Sequence, residues 1–140
     1  MGLLMVVILI IIGAVFYLKY AVLSDKDESF QSTEREIQAV NSVKALMNLE
    51  TCNVTIKKAI DMCSNQEDLC GELSCDYLDD FIKNVYSKVI EDDYLFLVFE
   101  GNSEILRVEQ NKCEYGVSSG DQYIQEGSNY YIVRLKICYR

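Results

Sequence analysis

The first eighteen residues, MGLLMVVILIIIGAVFYL, contain no charged side chain and no proline, and Ile10, Ile11 and Ile12 follow one another. A helix in a soluble core keeps polar residues along one face. Here none appears before Lys19. Extended to Leu23, a helix rising 1.5 Å per residue is about 33 Å long, the depth of a bilayer core. Lys19 suits snorkelling to the interface, and Tyr17 and Tyr20 suit the headgroup belt. Val22-Leu23-Ser24 would pass as a cleavage site, but a secretory signal has a charged start and a shorter apolar run. The segment therefore reads as retained. Leu3, Leu4, Val6, Val7, Ile8, Leu9, Ile10, Ile11, Ile12, Val15 and Phe16 are the residues it offers to lipid or to copies of itself.

A polar break, SDKDESF at 24–30, follows without glycine or proline and so need not end a helix. Beyond it Phe30, Ile37, Val40, Val43 and Met47 fall within an arc of roughly 140° on a 3.6-residue wheel. Glu34, Arg35, Gln38 and Lys44 take the other side. The spacing predicts one long helix over 2–49, apolar in its first half and amphipathic in its second.

Charge and composition remove several function classes. Lys19 is the only charge before Ser24, so residues 24–140 hold 12 Lys+Arg against 22 Asp+Glu. Nucleic-acid binding needs the opposite sign. The chain has no histidine. The commonest general base and neutral metal ligand are therefore missing, and no Ser-His or Cys-His pair can form. The acidic groups Asp25/Asp27/Glu28, Asp79/Asp80 and Glu91/Asp92/Asp93 match no calcium-loop spacing and read as solvated helix ends. Gly116 and Gly120 flank VSS with no lysine or helix start after them, which is a loop and not a phosphate cradle. The expectation is a protein that is not an enzyme and uses no metal or cofactor.

The six cysteines, Cys52, Cys63, Cys70, Cys75, Cys113 and Cys138, all follow the apolar opening. An even count behind such a segment reads as a disulfide framework in an oxidising compartment. Zinc would need a second closely spaced pair besides Cys70 and Cys75. Asn53-Val54-Thr55 is an N-glycosylation triplet, consistent with the same compartment. If 53–63 is helical, Cys52 and Cys63 stand about 16 Å apart along its axis, too far for a bridge. Cys63 should then pair with Cys70 or Cys75, Cys52 with the other, and Cys113 with Cys138.

Ile56, Ala59, Ile60 and Cys63 follow i, i+3, i+4, i+7 and predict a short helix capped by Asn53 or Thr55. Residues 64–73 read as a loop. Leu78, Phe81, Ile82, Val85 and Val89 define a third helix with its acids early and lysines late. YLFLVFE at 94–100 is apolar on both faces and predicts a strand covered on both sides. It turns at Gly101-Asn102 into 104–110, and 121–125 and 130–139 flank a second turn. The fold expected is α+β: the long helix and two short ones on a four-stranded antiparallel sheet. Residues 1–23 form the transmembrane or filament-core segment, and 24–140 an extracellular domain. No internal repeat is visible.

Gly2–Leu23, the amphipathic continuation to Leu49, the strands over 94–139, and Cys113 with Cys138 together resemble the type IV pilin-like superfamily. The likeness is closer to its archaeal branch, including anchored cysteine-containing proteins of small-genome archaea. It is one of arrangement over nearly the whole chain. Met5 stands where bacterial pilins carry a glutamate, which archaeal members commonly lack; no basic leader is visible, so either Met1 follows one that lies outside this sequence or the segment is an uncleaved anchor. The resemblance implies a structural subunit of a cell-surface filament, held in the membrane before assembly and joined to copies of itself through the N-terminal helix. A monomeric, membrane-anchored binding or adhesion module is the alternative.

Overall fold

The computed structural model describes Ile12, Ala14, Tyr17 and residues 32–138. The chain divides into two compact units, Met1–Glu34 and Arg35–Arg140. In the first, Ile12, Ala14 and Tyr17 are helical. Everything below concerns the second unit, with the first helix taken from its described start.

Helix α1 covers residues 32–47. Asn48 closes the C-terminal end by donating from Nδ2 to the Lys44 carbonyl at 2.9 Å. The expected single helix over 2–49 is thus corrected: the described helix begins at Ser32 and stops at Met47. The rest of that expectation, 2–11, 13, 15, 16 and 18–31, lies outside the described residues. The helix also sits in a different phase. Ala39, Val43, Leu46 and Met47 are buried, at i, i+4, i+7 and i+8, while Ile37 is 57% exposed.

Two small hairpins follow, each leading into a helix. Strands β1 (Glu50–Thr51) and β2 (Val54–Thr55) pair around Cys52-Asn53. Helix α2 (Ile56–Ser64) starts at once, with Thr55 as its N-cap accepting from the Lys58 amide at 3.3 Å. The helix ends with Gln66 at φ 56°, its amide donating to the Cys63 carbonyl and that of Glu67 to the Met62 carbonyl. This is a Schellman ending with glutamine in the left-handed position. Strands β3 (Asp68–Leu69) and β4 (Glu72–Leu73) then pair around Cys70-Gly71, and α3 (Ser74–Val89) follows. The segment expected to be a loop, 64–73, therefore contains a hairpin. The hairpin-then-helix unit occurs twice, an internal repeat that the sequence shows only as a cysteine at the start of each turn.

The main sheet has five strands, not four: β5 (Tyr94–Glu100), β6 (Ser103–Gln110), β7 (Gly116–Ser118), β8 (Gln122–Glu126) and β9 (Asn129–Cys138). All pairs are antiparallel, in the order β6-β5-β9, with β7 and β8 lying one after the other along the far edge of β9. The unexpected strand is β7. Its tight approach depends on Gly116, where an added Cβ would lie 2.2 Å from the Ile137 carbonyl oxygen. Between β7 and β8 the Ser119 side chain substitutes for backbone: its Oγ accepts from the Leu135 amide at 3.0 Å, while its own amide donates to the Leu135 carbonyl.

Tyr94, Phe96, Val98, Val108, Ile124, Tyr131, Val133, Leu135 and Ile137 are buried and form one core with the apolar faces of the three helices. On the opposite side of β5, Leu95, Leu97 and Phe99 are only half-buried. The strand expected to be covered on both faces is covered on one. Arg134 lies over the Phe99 ring, 5.6 Å from its centroid, and pairs with Asp121.

Candidate functional site

The two hairpin turns carry the chemistry that the sequence singled out. Cys52 and Asn53 have φ of 52° and 63°, and Cys70 and Gly71 of 54° and 93°. Positive φ at both central residues matches the twist of a two-residue hairpin, at a steric cost to any residue other than glycine. Asn53 is exposed at the tip of the first turn. The triplet Asn53-Val54-Thr55 thus sits on a projecting hairpin, ahead of α2 and not at its start.

All six cysteines are paired. Cys52–Cys70 joins the first positions of the two turns, with Cα atoms 6.1 Å apart. Cys63–Cys75 joins α2 to the first turn of α3, at 4.6 Å. Cys113–Cys138 joins the β6–β7 crossover to the end of β9, at 5.6 Å. The pairing left open between Cys70 and Cys75 is therefore Cys63–Cys75. Asn111 bonds Asp93 across the same crossover at 2.8 Å, and Lys136 donates to the Glu114 carbonyl at 2.9 Å. Hence the crossover is fixed at three points as it passes the ends of β5 and β9.

Asp61 is the feature that sequence reasoning missed. It is buried on α2, and among the described residues no other charged side chain is. Its Oδ2 accepts from Lys58 Nζ at 2.8 Å. Its Oδ1 accepts from Asn129 Nδ2 at 2.9 Å and the Tyr131 hydroxyl at 2.8 Å. Lys58 and then Asn129 hold its pKa down to about 2, with Tyr131 adding to them, against burial, which acts the other way. Burial first, then the bond to Asp61, raises the Tyr131 hydroxyl. With all three donors engaged the carboxylate is an anchor between α2 and the β8–β9 hairpin. Local sequence shows only its i, i+3 spacing from Lys58, because its other two partners, Asn129 and Tyr131, lie 68 and 70 residues away.

Two clefts flank α3. A polar one of about 450 Å³ includes Asp80, Lys83, Asn84, Ser87, Tyr94 and Gln110 in its lining. Lys83 pairs there with Asp79. The other lies between α1 and α3. Among the described residues no group of three Cys, Asp or Glu side chains is placed to hold a metal ion. Of the opening residues expected to face lipid or other copies, Ile12 is helical and half-exposed. Leu3, Leu4, Val6, Val7, Ile8, Leu9, Ile10, Ile11, Val15 and Phe16 lie outside the described residues. Among those described, no helix is long and apolar enough to cross a membrane.

The chain matches no protein-family model, no curated protein and no solved structure. What residues, fold and bonds define is a helix-and-sheet domain laced by three disulfides behind a charge-free apolar segment.

Proposed function

We propose that this protein is a structural subunit of a type IV pilus-like filament at the cell surface, assembled through its apolar opening. The observation that carries this reading is the coupling of two features in one chain. Eighteen charge-free residues need lipid or a protein surface, and the domain behind them has all six cysteines in disulfides. Disulfides persist in oxidising compartments, which supports a domain lying outside the cytoplasmic membrane. The opening then sits in that membrane before assembly and packs against other copies after it. Asn53, exposed on its hairpin tip, is the proposed glycan acceptor.

One observation favours the alternative of an anchored monomeric binding or adhesion module. The cleft on α3, β5 and β6 brings together donors and acceptors from Asp80, Asn84, Ser87 and Gln110, an arrangement suited to a small polar ligand.

The filament reading is tested by Ile10→Lys. A lysine at mid-bilayer costs about 2.5–3.5 kcal/mol on insertion scales, so membrane fractionation must accompany imaging. The expected variant reaches the membrane, keeps three disulfides and makes no fibres. A variant that inserts and still makes fibres would remove the opening from the filament core.

A further inference from the structure

The groove between α1 and α3 has a volume of about 520 Å³. Ala45, Leu46, Leu49, Val85, Tyr86 and Val89 line it, and its remaining lining side chains, Gln38, Asn41 and Ser42, are uncharged. A quarter of the chain's residues are charged, yet none lines this groove. Val89 is 56% exposed and Leu49 39%. Tyr86 is almost fully buried, and its hydroxyl has no hydrogen-bond partner among the described residues. The groove therefore offers apolar walls and small side chains at Ser42 and Ala45. A charged occupant would lose hydration there with nothing to pair with.

The same chain contains the matching object. Residues 1–18 have no charge and include the small pair Gly13-Ala14, and the described residues Ile12, Ala14 and Tyr17 are helical. The groove runs along α1 from Gln38 and past the end of that helix to Leu49. Small residues on both sides let two helices approach closely.

We infer that the α1–α3 groove is the docking site for the apolar opening of a neighbouring copy. This rests on the filament reading and deepens it. Opening and groove are different surfaces of one chain, so their pairing between copies is heterologous. Such a contact leaves a free opening at one end of the assembly and a free groove at the other, and it propagates as a filament when its rotation does not close a ring.

The test uses the full chain in two separately tagged forms, one with Ser42→Cys and one with Ala14→Cys, joined by a short bis-maleimide. The six native cysteines are paired, so the introduced thiols alone react. The expected product is a crosslink carrying both tags, lost when Val89→Lys is added to the Ser42→Cys form. A lysine at the end of α3 suits the helix dipole, so that variant should keep its three disulfides, checked by non-reducing mass mapping. Fibres without a mixed-tag crosslink would overturn the docking site and leave the filament reading standing. A mixed-tag crosslink without fibres would support the docking site and remove the filament. A crosslink found only when both cysteines are on one chain would assign the groove to the chain's own opening and overturn the inference. Neither fibres nor crosslink would overturn both.

Discussion

Asp61 and Gly116 show what single residues contribute to this fold. Asp61 has a folded pKa of about 2, below its ordinary value of 3.8. A depressed carboxylate contributes stability that is complete above its unfolded pKa and is lost as pH falls through its folded one. The window here is about pH 4 down to about pH 2, and the shift corresponds to about 2 kcal/mol. Asp61→Asn should cost about 1–3 kcal/mol at neutral pH, because an amide presents donors to donors. In urea melts the gap between variant and wild type should shrink as pH drops through that window. A gap independent of pH would mean the charge on Asp61 does not hold α2 to the β8–β9 hairpin. Gly116 acts by absence. A methyl group there collides with the Ile137 carbonyl, so Gly116→Ala should lose about 1–3 kcal/mol and the β7 ladder while Cys113–Cys138 still forms. Unchanged melting would show that β7 shifts at no cost. Neither role was legible in sequence. Two of the three partners of Asp61, Asn129 and Tyr131, are distant in the chain, and Gly116 resembles any loop glycine until β9 lies beside it.

Among elements, the paired hairpins are joined mainly through covalent bonds. Each has two residues per strand, too little for independent stability. Cys52–Cys70 ties their turns over a sequence separation of 18, worth about 3 kcal/mol in the chain-entropy picture. A double Cys52→Ser, Cys70→Ser variant should exchange amides faster over 50–55 and 67–73 while β5 and β9 stay protected. Equal loosening of the main sheet would contradict a local role for the tie. Elements with strong periodicity were readable in advance. Ile56, Ala59, Ile60 and Cys63 mark α2, and Leu78 and Ile82 mark α3. Phase was harder. In α1 the large Ile37 lies outside and the small Ala39 inside, on the face shared with Val43, Leu46 and Met47. Burial of Tyr86 and exposure of Val89 rotate α3 in the same way. The hairpins escaped notice because Cys-Asn and Cys-Gly turns sit between strands too short for alternation to show. Only Asn53 and Gly71, residues that tolerate positive φ, marked them.

At the scale of the whole molecule, the central claim is that a disulfide-laced domain is displayed on a filament built from its own apolar opening. The disulfide framework was legible in the sequence, in six cysteines that all follow the charge-free segment. The sheet was legible in its central strands and not at its edge, where β7 depends on contacts made after folding. The most direct measurement is negative-stain imaging of the purified full-length chain as detergent is removed. Regular fibres of constant diameter are the predicted result. Discrete particles that need detergent to stay dispersed, with no fibres on cells or in the preparation, would contradict the filament and leave the anchored monomer.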